Sequence, residues 1–365
     1  MGNPDKINNI TLQEHYKKHT ETEFNPLGLQ ISYYILKLLF RKIPQIIENI
    51  EQIRAIKKER LIYCVAPHSS WLDTIILPFV LKDRGLKHPR SIAGINSKDG
   101  IWGYIQEKWY KSFFVDRSNK DINYFSFLKS ELPKAAILDD IILFFQGGRS
   151  YSGHFKPMQR LAIKSFCVKE LSNAFFVPVS ITYDIVLEDE ILYQRGVKKK
   201  QLMFGNEFKE LIRFPAGPIW HYKSKVYLSF GKPLIIKEYI EENKKGIYNN
   251  NIFDDIKKEI NNNRKITETA LLSYAIVDGS KGSKEPFSGF ISKNVLEDRI
   301  NKYISMICDK SLIVTTEPTK VIEIGEKYFK LRNKLIKKGE QFYIDNSKGI
   351  FNFYANTIED LIKKQ

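Results

Sequence analysis

Between Arg60 and residue 236, short apolar runs alternate with segments that are long enough to form helices. Five runs have the length and composition of strands, and they cover residues 61–66, 91–95, 141–145, 175–181 and 226–230. Several are apolar at consecutive positions, as expected for strands that are covered on both faces. Strands that alternate with helices predict an α/β fold with a mostly parallel central sheet flanked by helices.

The two flanks of this segment are predicted to be helical additions. From Pro26 to about residue 53, apolar residues recur at three- and four-residue steps, and Pro44 is expected to kink or divide this helix. Two interpretations of the helix stay open: it packs on the core, or it lies as a basic amphipathic helix on a membrane. About the last hundred residues are predicted to be mostly helical, most clearly over residues 321–338.

The sequence therefore predicts three regions. Residues 1–55 form a polar tail and an amphipathic helical region, residues 56–236 form the α/β domain, and residues 237–365 form a mostly helical region that packs on it. No apolar run reaches the ~20 residues that are needed to span a bilayer. The first residues also lack the apolar core of a signal peptide.

The net charge of +16 at neutral pH predicts an anionic partner. Nucleic acid, a phospholipid surface and acidic substrates all meet that requirement, so the charge alone does not choose among them. A hydrophobic share of 43% and an aromatic share of 13% exclude disorder over most of the chain. The three cysteines form no CxxC pair, which argues against a zinc knot or a disulfide framework and fits a reducing cytosol.

A histidine and an aspartate follow the first predicted strand. His68 comes directly after the apolar run, and Asp73 lies five positions further on. That spacing turns two side chains apart on one continuous helix, so we expect His68 at the end of the strand and Asp73 in the first turns of the next helix. A neutral imidazole placed there can take a proton from a substrate hydroxyl, while the carboxylate fixes its tautomer and stabilises the imidazolium.

A second candidate site follows the third predicted strand. Gly147 and Gly148 let the backbone come close to a ligand, and the N–H groups of such a turn suit an anion. Arg149 offers a planar fork for phosphate, and Ser150 adds a hydroxyl donor. Arg117 ends another apolar run and is a second candidate phosphate ligand. For each arginine, a structural ion pair is the alternative.

In this order the segments resemble the glycerolipid acyltransferase superfamily, which includes the glycerol-3-phosphate, dihydroxyacetone-phosphate and lysophosphatidic acid acyltransferases. Four blocks carry the resemblance: His-x4-Asp at His68 and Asp73, an apolar run that ends at Arg117, Gln-Gly-Gly-Arg-Ser at residues 146–150, and Val-Pro-Val at residues 177–179. The doubled glycine, residues 151–157 and residues 350–358 look most like the glycerol-3-phosphate acyltransferase branch.

The resemblance implies a reaction. His68 would be the general base and Asp73 its orienter in the transfer of a fatty acyl group from an acyl-CoA or acyl-carrier-protein thioester to the 1-hydroxyl of glycerol 3-phosphate, as a step of phospholipid biosynthesis. The thioester is a co-substrate, and neither a metal nor another cofactor is implied. The resemblance also implies a cytoplasmic protein that associates peripherally with the inner or cytosolic face of an anionic membrane.

The implied acceptor pocket has one departure from the family pattern. Its candidate residues are Arg117, Gln146, Gly147, Gly148, Arg149, Ser150 and Lys156. Gln146 stands where glutamate is usual, which removes a carboxylate from the pocket but keeps a carbonyl that can accept from a hydroxyl. The acceptor therefore stays open, with a lysophospholipid, dihydroxyacetone phosphate or an amine as alternatives. His154 is a further candidate to line the pocket.

A non-catalytic basic protein that binds membrane surfaces is the alternative from another class. It accounts for the charge but not for the ordered blocks. Nucleic acid is excluded as a partner, because the aromatic residues cluster in apolar runs and do not interleave with basic ones. His15 and His19 have a metal-like spacing of four, but no carboxylate or cysteine completes a ligand set, so no metal site is predicted.

Overall fold

The computed structural model describes residues 24–40, 43–98, 100–116, 118–189, 192, 224–244, 251–278, 288–347 and 349–362. In this part of the chain, the central sheet has eight strands. They are β1 (Gln45–Glu48), β2 (Leu61–Val65), β3 (Arg90–Gly94), β4 (Phe113–Val115), β5 (Ile141–Leu143), β6 (Phe175–Tyr183), β7 (Val226–Phe230) and β8 (Leu234–Ile235).

The strand order in space is β1-β7-β6-β2-β5-β3-β4, and β8 pairs with β6. β2 runs parallel to both of its neighbours, β5 and β6, and β3 runs parallel to β5 and β4. β7 and β8 are antiparallel to β6. The prediction of an α/β fold with a mostly parallel central sheet is therefore confirmed.

Helices precede, connect and follow the strands of the central sheet along the chain. They are α1 (Pro26–Phe40), α2 (Ile50–Ala55), α3 (Asp73–Asp83), α4 (Gly100–Tyr104), α5 (Ile122–Leu138), α6 (Arg160–Ser165), α7 (Ile236–Lys244), α8 (Asn251–Asn261), α9 (Glu268–Asp278), α10 (Lys293–Met306), α11 (Pro318–Lys330) and α12 (Ile350–Asn356). A π-helical turn, Ile105–Trp109, directly follows α4. None of the helices described is both long and apolar enough to cross a bilayer.

The strand β2 is buried at every position because helices cover both of its faces. Leu61, Tyr63 and Val65 belong to a core cluster that also contains residues of α3, α9 and α12. Ile62 and Cys64 belong to a second cluster, which contains residues of α5 and α8. Side chains alternate between the faces of a strand, so two covered faces explain why the sequence is apolar at consecutive positions.

The predicted N-terminal helix is wrong at residues 45–48, which form β1, while residues 50–53 are helical again as part of α2. α1 ends at Phe40, and the next apolar residues lie in β1, which pairs in parallel with β7 at the edge of the sheet. Pro44 divides the two elements, as expected, because it has no N–H to continue a helix. The following residues become a strand because they gain ladder hydrogen bonds with a strand from the far end of the domain, which local periodicity does not report.

The predicted helix at residues 321–338 is wrong in its last part. α11 ends at Lys330, and Asn333 turns the chain with a φ of 52°. Residues 335–338 then form β10 (Leu335–Lys338), which pairs antiparallel with β11 (Gln341–Asp345). β9 (Ser288–Ser292) completes a three-stranded sheet on the other side of β11. Leu335 lies opposite Ile344, and both are fully buried, so cross-strand packing overrides the helical pattern here.

Candidate active site

A cavity of about 280 Å³ opens at the carboxyl ends of β2, β3 and β5. Because these strands are parallel, the segments that follow them meet at one edge of the sheet. His68 follows β2, residues 147–149 follow β5, and Ser97 follows β3, and all of them line the cavity. Its wall also includes Trp71, Thr74, Gln106, Tyr110, Ser112, Phe144, Gln146, Tyr151 and Lys156.

His68 and Asp73 form a hydrogen-bonded pair at the start of α3. Nδ1 of His68 lies 2.8 Å from Oδ2 of Asp73. The same oxygen accepts hydrogen bonds from the backbone N–H groups of Ser69 at 2.9 Å and Ser70 at 3.1 Å. Asp73 is the first residue of α3 and is fully buried. The histidine thus precedes the helix and the aspartate opens it, which is the arrangement that their spacing predicts.

A tyrosine holds the second oxygen of this carboxylate. The hydroxyl of Tyr183, the last residue of β6, donates to Oδ1 of Asp73 at 2.5 Å. Burial and the adjacent Asp73 charge raise the pKa of Tyr183 well above its ordinary value, so the hydroxyl keeps its proton and remains a donor. Both carboxylate oxygens are therefore bonded, which satisfies a group that is costly to bury alone.

Two further contacts hold His68, one to its imidazole ring and one to its backbone. The ring of His68 stacks on Phe144, the first residue after β5, with centroids 4.1 Å apart and an interplanar angle of 26°. The backbone N–H of Ser150 donates to the carbonyl oxygen of His68 at 2.7 Å. The two sequence motifs are therefore joined directly, the first through its histidine and the second through Phe144 and Ser150.

A buried carboxylate that the sequence analysis missed lies between the two motifs. Glu188 accepts hydrogen bonds from Oγ of Ser70 at 2.9 Å and from the backbone N–H of Trp71 at 2.8 Å. Its Oε1 also lies 3.6 Å from Nη1 of Arg149. Burial raises the pKa of Glu188 to about 7, although the Trp71 N–H, Arg149 and Ser70 all act to lower it. Its only sequence signal is an acidic residue soon after a strand, a position that Asp184 and Asp189 share.

The doubled glycine makes a tight turn after β5. Gly147 has a φ of 75° and Gly148 a φ of 155°, both in the region that favours glycine. A Cβ atom on Gly147 would lie 2.9 Å from the side chain of Gln159. The N–H of Gly147 donates to the carbonyl oxygen of Phe144 at 2.9 Å. This N–H therefore closes the turn, although the sequence suggests that N–H groups of the turn suit an anion.

The remaining predicted acceptor residues occupy different environments. Lys156 lines the cavity, where Nζ donates to the carbonyl oxygen of Arg149 and lies 5.2 Å from the ring centroid of Tyr151. Gln146 also lines it, and its Nε2 donates to the carbonyl oxygen of Lys156 at 2.8 Å. Ser150 is buried, does not line the cavity, and donates to the carbonyl oxygen of His154 at 2.8 Å.

Two other candidates from the sequence lie away from the cavity or outside the described residues. His154 does not line the cavity, and its exposed ring lies 3.3 Å from the carboxylate of Glu359. Arg117 lies outside the residues that the structure describes. Within the described residues, no group of three or more His, Cys, Asp or Glu side chains is placed to hold a metal ion.

Residues of the C-terminal region support both halves of the site. The hydroxyl of Tyr354 in α12 donates to Oδ2 of Asp189 at 2.6 Å and accepts from the N–H of Val186 at 2.8 Å. Arg332 lies 2.9 Å from the other oxygen of Asp189. Nδ2 of Asn356 donates to the carbonyl oxygen of Ser152 at 2.8 Å. The segment that carries Glu188 and the loop that follows Arg149 are thus anchored on the same helix.

One family of known proteins is similar to the part of the chain that carries most of this site. Residues 45–182 match the family model described as Acyltransferase. Over this segment the chain is similar to acyltransferases. The matched segment begins at β1 and ends one residue before Tyr183. It contains His68, Asp73 and the turn at residues 146–150, but neither Tyr183 nor Glu188.

The similarity to curated proteins extends beyond residues 45–182. A glycerol-3-phosphate acyltransferase of Pseudomonas entomophila is 25% identical over 242 residues, which are 64% of this chain and 28% of that relative. One of Pseudomonas paraeruginosa is 21% identical over 390 residues, which are 97% of this chain and 44% of that relative. The chain therefore spans less than half the length of these curated relatives.

One solved structure aligns with part of this chain. The 1-acyl-sn-glycerophosphate (LPA) acyltransferase PlsC of Thermotoga maritima aligns with a TM-score of 0.30 and 15% identity, over 68% of this chain and 83% of that chain. A similarity of this size carries no argument about the site, which rests on the geometry of the cavity.

Proposed function

We propose that this protein transfers a fatty acyl group from a thioester to the 1-hydroxyl of glycerol 3-phosphate. The observation that carries the proposal is the 2.8 Å hydrogen bond between His68 and Asp73 at the wall of a cavity that Arg149 and Lys156 also line. A base with its orienter and two cations beside it suit a reaction between a hydroxyl and an anionic substrate. The names of the curated relatives support the same substrate.

The proposed proton path follows from the hydrogen bonds of His68. Asp73 accepts from Nδ1, so Nε2 is the basic nitrogen of the neutral imidazole. Nε2 takes the proton of the acceptor hydroxyl while its oxygen attacks the thioester carbonyl carbon, whose π electrons move onto the carbonyl oxygen. The C–S bond then breaks as the C=O bond re-forms, and the proton passes from Nε2 to the departing thiolate. The products are an ester and a free thiol, without a protein nucleophile.

In this proposal Arg149 holds the acceptor phosphate. Its guanidinium is planar, so it binds two phosphate oxygens at once and fixes the distance from the phosphate to the hydroxyl. Lys156 adds a second charge, and its contact with the Arg149 carbonyl oxygen holds that charge at the same side of the cavity. Gln146 provides an amide in place of a carboxylate, which avoids a negative charge beside the phosphate.

The exposed face of α1 supports a place at a membrane surface. Leu27, Ile31, Tyr34, Ile35 and Leu38 recur along one side of this helix, and Leu27 and Leu38 are 66% and 71% exposed. Together with the charge of +16, a row of exposed apolar side chains suits adsorption to an anionic bilayer. We therefore place the enzyme at the cytosolic face of such a membrane, where its product enters phospholipid biosynthesis.

A panel of donors and acceptors tests the proposal. Purified protein is given radiolabelled acyl-CoA or acyl-acyl-carrier-protein with glycerol 3-phosphate, dihydroxyacetone phosphate, a lysophospholipid, an amine or glycerol. We expect glycerol 3-phosphate to be acylated with the highest kcat/KM. The variant Arg149→Ala is expected to raise the KM for this acceptor by about a hundredfold, because a charge-assisted bidentate contact is lost.

The matched control is Arg54→Ala, which removes an exposed arginine whose partner is Glu51 on the same helix, and it is expected to leave the KM unchanged. Preferred acylation of glycerol or of an amine would overturn the assignment of a phosphorylated acceptor. Salt-sensitive binding to vesicles with no thioester consumption, in the presence of every acceptor, would establish a non-catalytic membrane-binding protein instead.

A further inference from the structure

We infer that Glu188 is a positioning residue that fixes the Arg149 guanidinium relative to the His68–Asp73 pair. The inference rests on the proposed function and names a residue beyond the acyltransferase match, which ends at residue 182. Glu188 does not line the cavity, so it acts on the acceptor through Arg149 and not by touching it.

Glu188 holds the turn that carries the proton-transfer pair. Ser70 donates its backbone N–H to Asp73 and its hydroxyl to Glu188. The N–H of the next residue, Trp71, also donates to Glu188. One carboxylate therefore fixes the two residues whose backbone positions determine where Asp73, and through it His68, can lie.

The same carboxylate limits the position of Arg149. The 3.6 Å between Nη1 of Arg149 and Oε1 of Glu188 is longer than a hydrogen bond but within the range of an ion pair. Such a contact directs the guanidinium toward Glu188 by the attraction of opposite charges and not by a short hydrogen bond. Only 14% of the Arg149 side chain is exposed, and at that depth the pull of an opposite charge is weakly screened.

Contacts of the neighbouring residues hold the segment that carries Glu188 in place. Its neighbour Asp189 binds Arg332 and Tyr354, and the backbone of Val186 binds the same tyrosine. These contacts come from α12 and from the segment between α11 and β10. The Glu188 carboxylate is therefore held in one position. We infer that it sets the distance between the His68–Asp73 pair and the Arg149 guanidinium.

The decisive variant is Glu188→Gln, which keeps the size of the side chain and, when assayed above pH 7 where the wild-type carboxyl is ionised, removes its charge. If Glu188 only repelled the phosphate, this change would lower the KM for glycerol 3-phosphate. If it positions Arg149, the KM rises, and we expect about a tenfold rise with the KM for acyl-CoA unchanged. In an Arg149→Ala background, Glu188→Gln is expected to cause no further rise, because the residue through which it acts is gone.

Asp184→Asn is the matched control. Asp184 is also buried and hydrogen-bonded, with Tyr328 as its donor, but it does not contact Arg149. This variant is expected to lower thermal stability and leave both KM values unchanged, since a smaller active fraction changes kcat and not KM. If Glu188→Gln does not fold, Glu188→Asp replaces it, which keeps the charge but shortens the side chain, and a smaller rise in the acceptor KM is expected.

The outcomes separate the inference from the function on which it rests. An unchanged or lower acceptor KM in Glu188→Gln, or an equal rise with and without Arg149, overturns the inference while wild-type acyl transfer stands. A wild-type protein that acylates no phosphorylated acceptor refutes the proposed function and the positioning role with it.

Discussion

Tyr183 donates a hydrogen bond to Asp73 at 2.5 Å, and this contact ties the last residue of β6 to the first residue of α3. The carboxylate that orients His68 is thus fixed by its own turn through Oδ2 and by the central sheet through Oδ1. A general base gains from such rigidity, because proton transfer requires the imidazole to keep one tautomer and one direction.

The first prediction concerns this tyrosine. Tyr183→Phe removes one hydrogen bond from a buried carboxylate, which costs about 1–3 kcal/mol, and part of that cost falls on the state in which His68 is charged. We expect kcat to fall about tenfold and the acceptor KM to stay within about twofold, as measured by steady-state kinetics.

Tyr63→Phe is the matched control for this change. Tyr63 is fully buried in β2, and within the described residues its hydroxyl has no hydrogen-bond partner. Its removal is expected to leave kcat unchanged. Equal losses in the two variants would show that the contact with Asp73 has no catalytic role.

A second prediction concerns Gly153, where the loop after Arg149 meets α12. Its φ is 87°, and an added Cβ would lie 2.0 Å from the carbonyl oxygen of Phe353. Gly153→Ala therefore combines backbone strain with a clash against backbone, and we expect it to lower the free energy of unfolding by about 3 kcal/mol. Gly85→Ala has a similar φ of 75° but open space around the new atom, so it is expected to cost about 1 kcal/mol.

Chemical denaturation of both glycine variants measures this difference. A loss in Gly153→Ala that is no larger than the loss in Gly85→Ala would show that the loop yields without cost, and that α12 does not hold it in place.

A third prediction concerns the pH dependence of stability. Burial raises the pKa of Glu188 from 4.5 to about 7, so between these values the folded protein keeps a proton that the unfolded chain has lost. The free energy of unfolding contributed by this group is therefore lost as the pH rises through that window. Relative to Glu188→Gln, wild type is expected to become less stable from pH 5 to pH 7, by at most about 3 kcal/mol.

Denaturant titrations of wild type and Glu188→Gln at several pH values give this difference. The raised pKa of Asp184, about 6, is present in both proteins and cancels in the comparison. A difference that grows with pH would mean that Arg149 outweighs the burial of Glu188 and keeps its carboxyl ionised.

The sequence predicts those strands whose structure is determined by residues adjacent in the chain. The strand prediction at residues 226–230 coincides with β7, and the one at residues 61–66 differs from β2 by one residue. Both strands are buried at every position, so their apolar composition alone identifies them as strands. The sequence pattern at β1 indicates a helix, and the sequence gives no strand signal at β8, because short strands at the margin of a sheet are defined by their partners.

The site shows the same division. His68 and Asp73 lie five residues apart on one strand-to-helix turn, so their pairing follows from local geometry. Tyr183 and Glu188 bind that turn from 110 and 118 positions further along the chain. Only the tertiary fold brings those segments together, and no pattern near either residue distinguishes it from other polar residues after a strand.

The most direct test of the central claim, that His68 is the base in acyl transfer, is the kcat of His68→Gln with acyl-CoA and glycerol 3-phosphate. Glutamine keeps a donor for the buried Asp73 but cannot take a proton at neutral pH. We predict a fall in kcat of about a thousandfold, with an acceptor KM within about twofold. A kcat close to that of wild type would contradict the mechanism.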